Sequence, residues 1–275
     1  MSLLTLRHLQ FHYESRAILR DVSLCVEPGE LCAVMGVNGS GKSTLLRLAA
    51  GLLQQPDDEA VTLDGTSVNR LSARERARLA SFLPQRFGVH FDTSVLDVVL
   101  MGANPELGPI RTPTRRHREQ ALQILDTLNI RAFAEKNFLT LSEGQKQMVM
   151  IARSLLQKSP LLLMDEPDSA LDLNNRSHLM ETLRAVVQTG KGALLVLHDQ
   201  QLALTYCDRI FLLHNGVICG QITAGAPDFG QIQAQIAQAF PQVRLYRQDD
   251  TILMGYTKMA GATTRPSREG SNDVL

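Results

Sequence analysis

The eight residues Gly36-Val37-Asn38-Gly39-Ser40-Gly41-Lys42-Ser43 constrain this chain more than any other feature of its sequence. Glycines spaced through the run let the backbone wrap closely enough for successive N–H groups to point inward at an anion. A helix opening directly after the loop turns its N-terminal dipole toward the same anion. The setting agrees. Leu31-Cys32-Ala33-Val34-Met35 runs apolar without polar alternation, as a strand buried on both faces does, and residues 43–50 carry leucines at 45, 46 and 48. Strand, glycine loop and helix in that order predict a phosphate cradle extending to Thr44. In it Lys42 reaches the β and γ phosphates of ATP and the Ser43 hydroxyl ligates Mg²⁺.

A second apolar run, Leu161-Leu162-Leu163-Met164, ends in the adjacent acids Asp165-Glu166. In an open α/β sheet the carboxyl ends of the strands are where ligands bind. Side chains alternate along a strand, so the two acids face different ways. Asp165 is expected in the Mg²⁺ shell, and Glu166 is expected to face the γ-phosphate and polarise the attacking water. A third run, Leu194 to Leu197, delivers His198 to the same edge, where a γ-phosphate contact and water positioning are its expected role.

Alternating strands and helices predict an α/β fold with a mostly parallel sheet and helices on both faces. Residues 60–63 and 67–68 around Asp64-Gly65 read as a short hairpin, since Asp-Gly accepts the positive φ values of tight turns. Helical patterns dominate from 72 to 159, interrupted at Pro84, at 105–113 and around Asn137. The cluster Arg115-Arg116-His117-Arg118 reads as the solvated start of one of these helices. A helix over about 231–240, a hairpin from 243 to 256 turning at Asp249-Asp250, and a frayed polar tail complete the chain.

Twenty-eight basic and 28 acidic residues balance, so no global field draws the molecule to nucleic acid or to an anionic bilayer. The N-terminus lacks the pattern of a signal peptide, and no run approaches the ~20 apolar residues needed to span a membrane. The expectation is a cytoplasmic protein that reaches a membrane only through a partner. Cys25, Cys32, Cys207 and Cys219 are scattered, without the close pairing of a zinc site.

Leu141-Ser142-Glu143-Gly144-Gln145 precedes a helical stretch through Met148, Ile151, Ala152 and Leu155, with Ser142 at a plausible N-cap. Lying between the phosphate loop and the acid-ended strand, it completes a set that resembles the ABC ATPase family, whose signature is usually Leu-Ser-Gly-Gly-Gln. The resemblance runs to about residue 225. It matches Tyr13 to the aromatic that stacks on adenine and Gln85 to the glutamine loop, with a part in catalysis and in the metal shell. It matches Ser169-Ala170-Leu171-Asp172 to the D-loop and His198 to the switch histidine.

The resemblance implies a P-loop NTPase fold with an antiparallel β subdomain and an inserted helical subdomain at about 86–159, all within an ATPase domain over 1–225. A helix and hairpin extension over 226–258 and a disordered tail over 259–275 follow. It also implies a head-to-tail dimer in which Ser142, Gly144 and Gln145 of one copy cap the ATP held by Lys42 of the other. Two departures stand out. Glu143 replaces the usual glycine, and its side chain is expected to point to solvent. Asp168 stands where the family usually has a small or hydroxyl residue, and the sequence offers no physical account of it.

Residues 92–102 look like the corresponding segment of ATPases that drive uptake of iron chelates, haem, cobalamin and related metal compounds. The stretch from His198-Asp199 to Cys207-Asp208-Arg209 agrees. The partners implied are integral membrane permease subunits and an extracytoplasmic substrate-binding protein, with no nucleic acid. An exporter motor, or an ABC ATPase acting on nucleic acid or ribosomes, is the alternative. The short insert between Gln85 and Leu141, without sustained heptads, speaks against the latter.

Overall fold

Three short strands without a polar residue between them, apart from one terminal acid, set the architecture. They are fed by a long antiparallel hairpin. A computed structural model describes residues 1–256 apart from 56, 87, 89–91, 108–110, 225–228 and 249–250. The tail expected over 259–275 and the Asp249-Asp250 turn lie outside the described residues.

The strands are β1 (Leu4–Tyr13), β2 (Arg16–Val26), β3 (Leu31–Met35), β4 (Val61–Leu63), β5 (Thr66–Ser67), β6 (Ala80–Leu83), β7 (Leu161–Asp165), β8 (Gly192–Val196), β9 (Arg209–His214), β10 (Val217–Thr223), β11 (Val243–Gln248) and β12 (Thr251–Tyr256). Ten of them form one sheet in the order β5-β4-β1-β2-β10-β9-β3-β8-β7-β6, and β11 pairs with β12 separately. From β9 to β6 all neighbours are parallel, whereas β5, β4, β1 and β2 pair antiparallel. The helices are α1 (Lys42–Ala49), α2 (Ala73–Leu79), α3 (Val95–Leu100), α4 (Asn104–Leu107), α5 (Arg115–Thr127), α6 (Glu143–Leu156), α7 (Leu173–Val187), α8 (Gln200–Tyr206) and α9 (Phe229–Ala239).

The two faces of the parallel strands feed two separate cores. Leu31, Ala33, Met35, Leu162, Met164, Ala193 and Leu195 pack with residues of α3, α5, α6, α7 and α9. Cys32, Val34, Leu161, Leu163, Leu194 and Val196 pack with Leu45, Leu46 and Leu48 of α1 and with the antiparallel strands. Side chains alternate along a strand, so only an unbroken apolar run fills both layers.

The structure departs from the expectations in four places. Residues 80–83, within the stretch read as helical, form β6, which follows α2 without a loop and pairs in parallel with β7. The strand β2 was not anticipated, nor was the β9–β10 hairpin. His117 is buried rather than solvated: the Thr114 amide donates to its Nδ1 at 3.0 Å and its Nε2 lies 3.5 Å from Glu106. Asp64 and Gly65 both have positive φ, as the expected tight turn requires. All four cysteines are free, with Cys32 and Cys207 buried and the other two half-buried.

Candidate nucleotide site

The strand order β3-β8-β7 brings three strand ends to one edge. Val34 is level with Val196, and Val196 with Asp165, so the phosphate loop, His198 and the acid pair leave the sheet at the same height. Backbone bonds carry this register past the strands: the Glu166 amide donates to Val196 O at 3.1 Å.

Gly36 turns off β3 where nothing larger fits, since a Cβ there would stand 2.1 Å from the carbonyl oxygen of Leu213. Gly41 is the N-cap of α1 and offers no side-chain acceptor. The first N–H groups of that helix are left for an external anion. The buried Lys42 ammonium donates to Gly36 O at 2.9 Å and Val37 O at 3.1 Å, which holds it across the mouth of the loop. Burial pushes its pKa below the ordinary lysine value, against the opposing pull of Glu166 and Asp165.

The Ser43 hydroxyl donates to Asp165 Oδ1 at 3.1 Å, and burial raises the Asp165 pKa despite that bond. A buried carboxylate beside a hydroxyl is a hard oxygen set that gains from a divalent cation. Mg²⁺ keeps much of its shell as water and phosphate oxygen and needs only one or two protein ligands. These residues therefore fit Mg²⁺.

Glu166 sits at φ +55°, a left-handed conformation uncommon for a residue with a side chain, and it is buried. Both its carboxylate oxygens are engaged. Gln85 Nε2 donates to Oε2 at 2.5 Å, and His198 Nε2 lies 2.6 Å from Oε1. Gln85 thus turns its amide nitrogen to Glu166 and leaves its amide oxygen free of that contact.

Asn38, Gly39, Gly41, Lys42, Ser43, Thr44, Gln85, Glu166 and His198 line one open pocket of about 610 Å³. Val37 and Ser40 line an adjoining one. Two further lining residues, Arg16 and Ile18, escaped the sequence reading. Their signal lay in the unrecognised β1–β2 hairpin, where Arg16 is the register partner of Tyr13. Tyr13 itself is exposed at the end of β1, edge-on to Phe11, and does not line this pocket.

Ser142, Gly144 and Gln145 do not line it either. They open α6, where the Gln145 amide donates to Ser142 Oγ at 3.3 Å and the Ser142 amide to Gln145 Oε1 at 3.1 Å. Gly144 packs so closely on the D-loop turn that a Cβ would fall 2.7 Å from Ala170 O. The Glu143 side chain is 77% exposed and pairs with Lys146 at 2.8 Å.

Strand, phosphate loop and helix beside carboxylate-ended parallel strands define a P-loop nucleotide-binding domain. Comparison with known proteins carries this further. The family model described as ABC transporter matches residues 19–169. An iron chelatin transport ATP-binding protein of Helicobacter pylori is 34% identical over 211 residues, 76% of this chain and 83% of that protein. The hemin import ATP-binding protein HmuV of Burkholderia ambifaria is 36% identical over 256 residues, 86% of this chain and 93% of its own. Among solved structures, the dimeric bacterial ABC transporter cassette MJ0796 superposes with a TM-score of 0.72 at 27% identity, covering 82% of this chain and 100% of that one. The chain belongs to the ABC transporter family, as an ATP-binding protein. Among the described residues, no helix is long and apolar enough to cross a membrane.

Proposed function

We propose that the chain hydrolyses ATP to power import of a metal chelate or related compound, as a peripheral motor on the cytoplasmic side of the cell membrane. The observation that carries the hydrolytic reading is the Glu166 carboxylate, held by Gln85 and His198 at the edge of the pocket that Lys42 also lines. An acid fixed at both oxygens is a general base awaiting a water rather than a phosphate ligand. Residues 36–44 bind the triphosphate, Lys42 meets its terminal charge, and Tyr13 stacks on adenine. Ser43, Asp165 and the Gln85 oxygen hold Mg²⁺, which when bound neutralises developing phosphate charge. Gln85 and His198 engage one acceptor site on each oxygen of Glu166, and the remaining lone pairs are left for a water. His198 then contacts the γ-phosphate.

Because the signature residues lie outside this chain's own pocket, each ATP is shared by two copies packed head to tail, with Ser142, Gly144 and Gln145 supplied in trans. The segment 86–159 acts as a helical subdomain that receives a permease subunit near Gln85. Residues 226–258 form an extension of the ATPase domain over 1–225. The metal-chelate cargo rests on the named relatives and on residues 92–102, and the extracytoplasmic binding protein rests on the family pattern. Purification of the full chain from detergent-solubilised membranes tests the reading. A many-spanning permease should come with it, and copurifying ribosomes or nucleic acid in its place would sink the importer.

A further inference from the structure

Glu166 holds its left-handed backbone conformation on a turn with few bonds of its own. Such a conformation persists only where the surroundings over-determine it. On the strand side the Glu166 amide donates to Val196 O at 3.1 Å, and on the far side the Ser169 amide donates to Glu166 O at 3.3 Å. Between them stands Pro167, which is buried and has no N–H, so its carbonyl is the one main-chain polar group by which it can be fastened. That carbonyl accepts from Nε2 of Gln147 at 3.1 Å.

Gln147 is 2% exposed and lies early in α6, the helix that Ser142 caps. A buried carbonyl without a donor is costly, and so is a buried amide without an acceptor, so each of the two groups holds the other in place. Gly144 of the same helix packs against Ala170 O further along the same turn. The start of α6 therefore meets the chain just after Glu166 twice, by shape at Ala170 and by a directed hydrogen bond at Pro167. The second contact falls on the residue bonded to Glu166 itself.

We propose that Gln147 is a positioning residue: its hydrogen bond to Pro167 O keeps Glu166 in the conformation that presents the carboxylate to Gln85 and His198. Those two meet the carboxylate oxygens at 2.5 and 2.6 Å, which leaves little play for a shift of the turn. Gln147 contacts no substrate and acts through the backbone of Pro167. The role rests on the reading of Glu166 as the hydrolytic base. Gln157, at the other end of α6, makes the same kind of bond away from that turn, donating from Nε2 to Ala77 O at 2.6 Å and to Ala80 O at 3.2 Å. It provides the control.

The test uses the full chain and three readouts: ATP affinity, single-turnover hydrolysis and thermal unfolding. Gln147→Met keeps the length of the side chain and removes the donor. It should leave ATP affinity unchanged and slow hydrolysis about tenfold through loosened alignment. Gln147→Asn, whose amide is one methylene too short to reach, should slow hydrolysis in the same way and stands in if Gln147→Met does not fold. Gln157→Met should lower the melting temperature with hydrolysis at the wild-type rate. In a Glu166→Gln background Gln147→Met should slow hydrolysis no further, as residues acting through one another behave. Wild-type hydrolysis in a folded Gln147 variant overturns the proposal. So does a loss of rate matched by Gln157→Met, or a slowing that persists in full in the Glu166→Gln background. If Glu166→Gln itself leaves hydrolysis intact, the hydrolytic reading fails and this proposal falls with it. If Glu166→Gln slows the reaction and the Gln147 variants do not, only the role of Gln147 is rejected.

Discussion

Nε2 of His198 stands 2.6 Å from Oε1 of Glu166, joining the end of β8 to the end of β7 across the edge of the sheet. The contact places the proton on Nε2, because an ionised carboxylate only accepts. His198 is also 44% exposed, so the pair is both connected and reachable from the pocket. An acid already oriented by two neighbours loses little freedom when a water joins them at a free lone pair.

Replacing that acid isolates the chemistry. Glu166→Gln retains a side chain that Gln85 and His198 can still meet, but it cannot take a proton. Turnover should fall on the order of 10²-fold or more, with ATP affinity preserved. Phosphate release and a fluorescence titration on the same preparation check this, and loss of both together would move Glu166 to the metal site.

Lys42 gives the opposite separation. Its ammonium bridges two loop carbonyls and, on the proposed reading, meets the terminal phosphates. Lys42→Ala should weaken ATP binding about a hundredfold, as expected for a charge-assisted contact worth about 2–3 kcal/mol. The core strands hold without it, so circular dichroism should show an unchanged fold. Undiminished affinity in the folded variant would remove Lys42 from the site.

Sharing of sites between copies is tested by mixing. Pure Lys42→Ala and pure Ser142→Arg dimers each carry two damaged sites and should trap no ATP. A mixed dimer carries one site with both lesions and one with neither, and it should occlude up to one nucleotide in single-turnover trapping. No gain in preparations shown to contain mixed dimers would return Ser142, Gly144 and Gln145 to a role outside the ATP site.

Asp168 makes a pH-dependent contribution of predictable sign. Burial is the largest influence on its carboxyl and raises its pKa, so the folded chain favours the protonated form. The stability it supplies is present below the unfolded value of about 4 and is lost as pH rises through the folded value. Asp168→Asn, which cannot ionise, should therefore gain in melting temperature relative to wild type from acid toward neutral pH in calorimetry of the nucleotide-free chain. An offset independent of pH would show that the carboxyl is not titrating there.

The chemistry-bearing parts of the site were legible in the sequence because each follows an apolar run that fills both core layers, and such runs mark the central strands. The strands that escaped notice lack that mark. In β2 the register against β1 shifts repeatedly, so that Leu19 and Val22 are buried three positions apart and the alternation breaks. Arg16 and Ile18 were missed with it. Ala80–Leu83 continues the composition of α2 and becomes a strand only through its pairing with Leu161–Met164, a contact remote in sequence. For β9 and β10 the signal was present in Ile210-Phe211-Leu212-Leu213 before Asn215-Gly216. The signature residues were placed by motif order, and a single chain's geometry explains only their cap.

Gly144 leaves no gap between the start of α6 and the carbonyl of Ala170, and Ala170 lies four residues beyond Glu166 in the same braced turn. The start of α6 and the turn that carries Glu166 are therefore packed without slack within one chain. In a pair that shares its nucleotides, the part of each subunit that touches its neighbour's ATP cannot shift without pressing on the turn that serves its own. On the proposed sharing of nucleotides, this contact is the backbone route by which one site would sense the occupancy of the other.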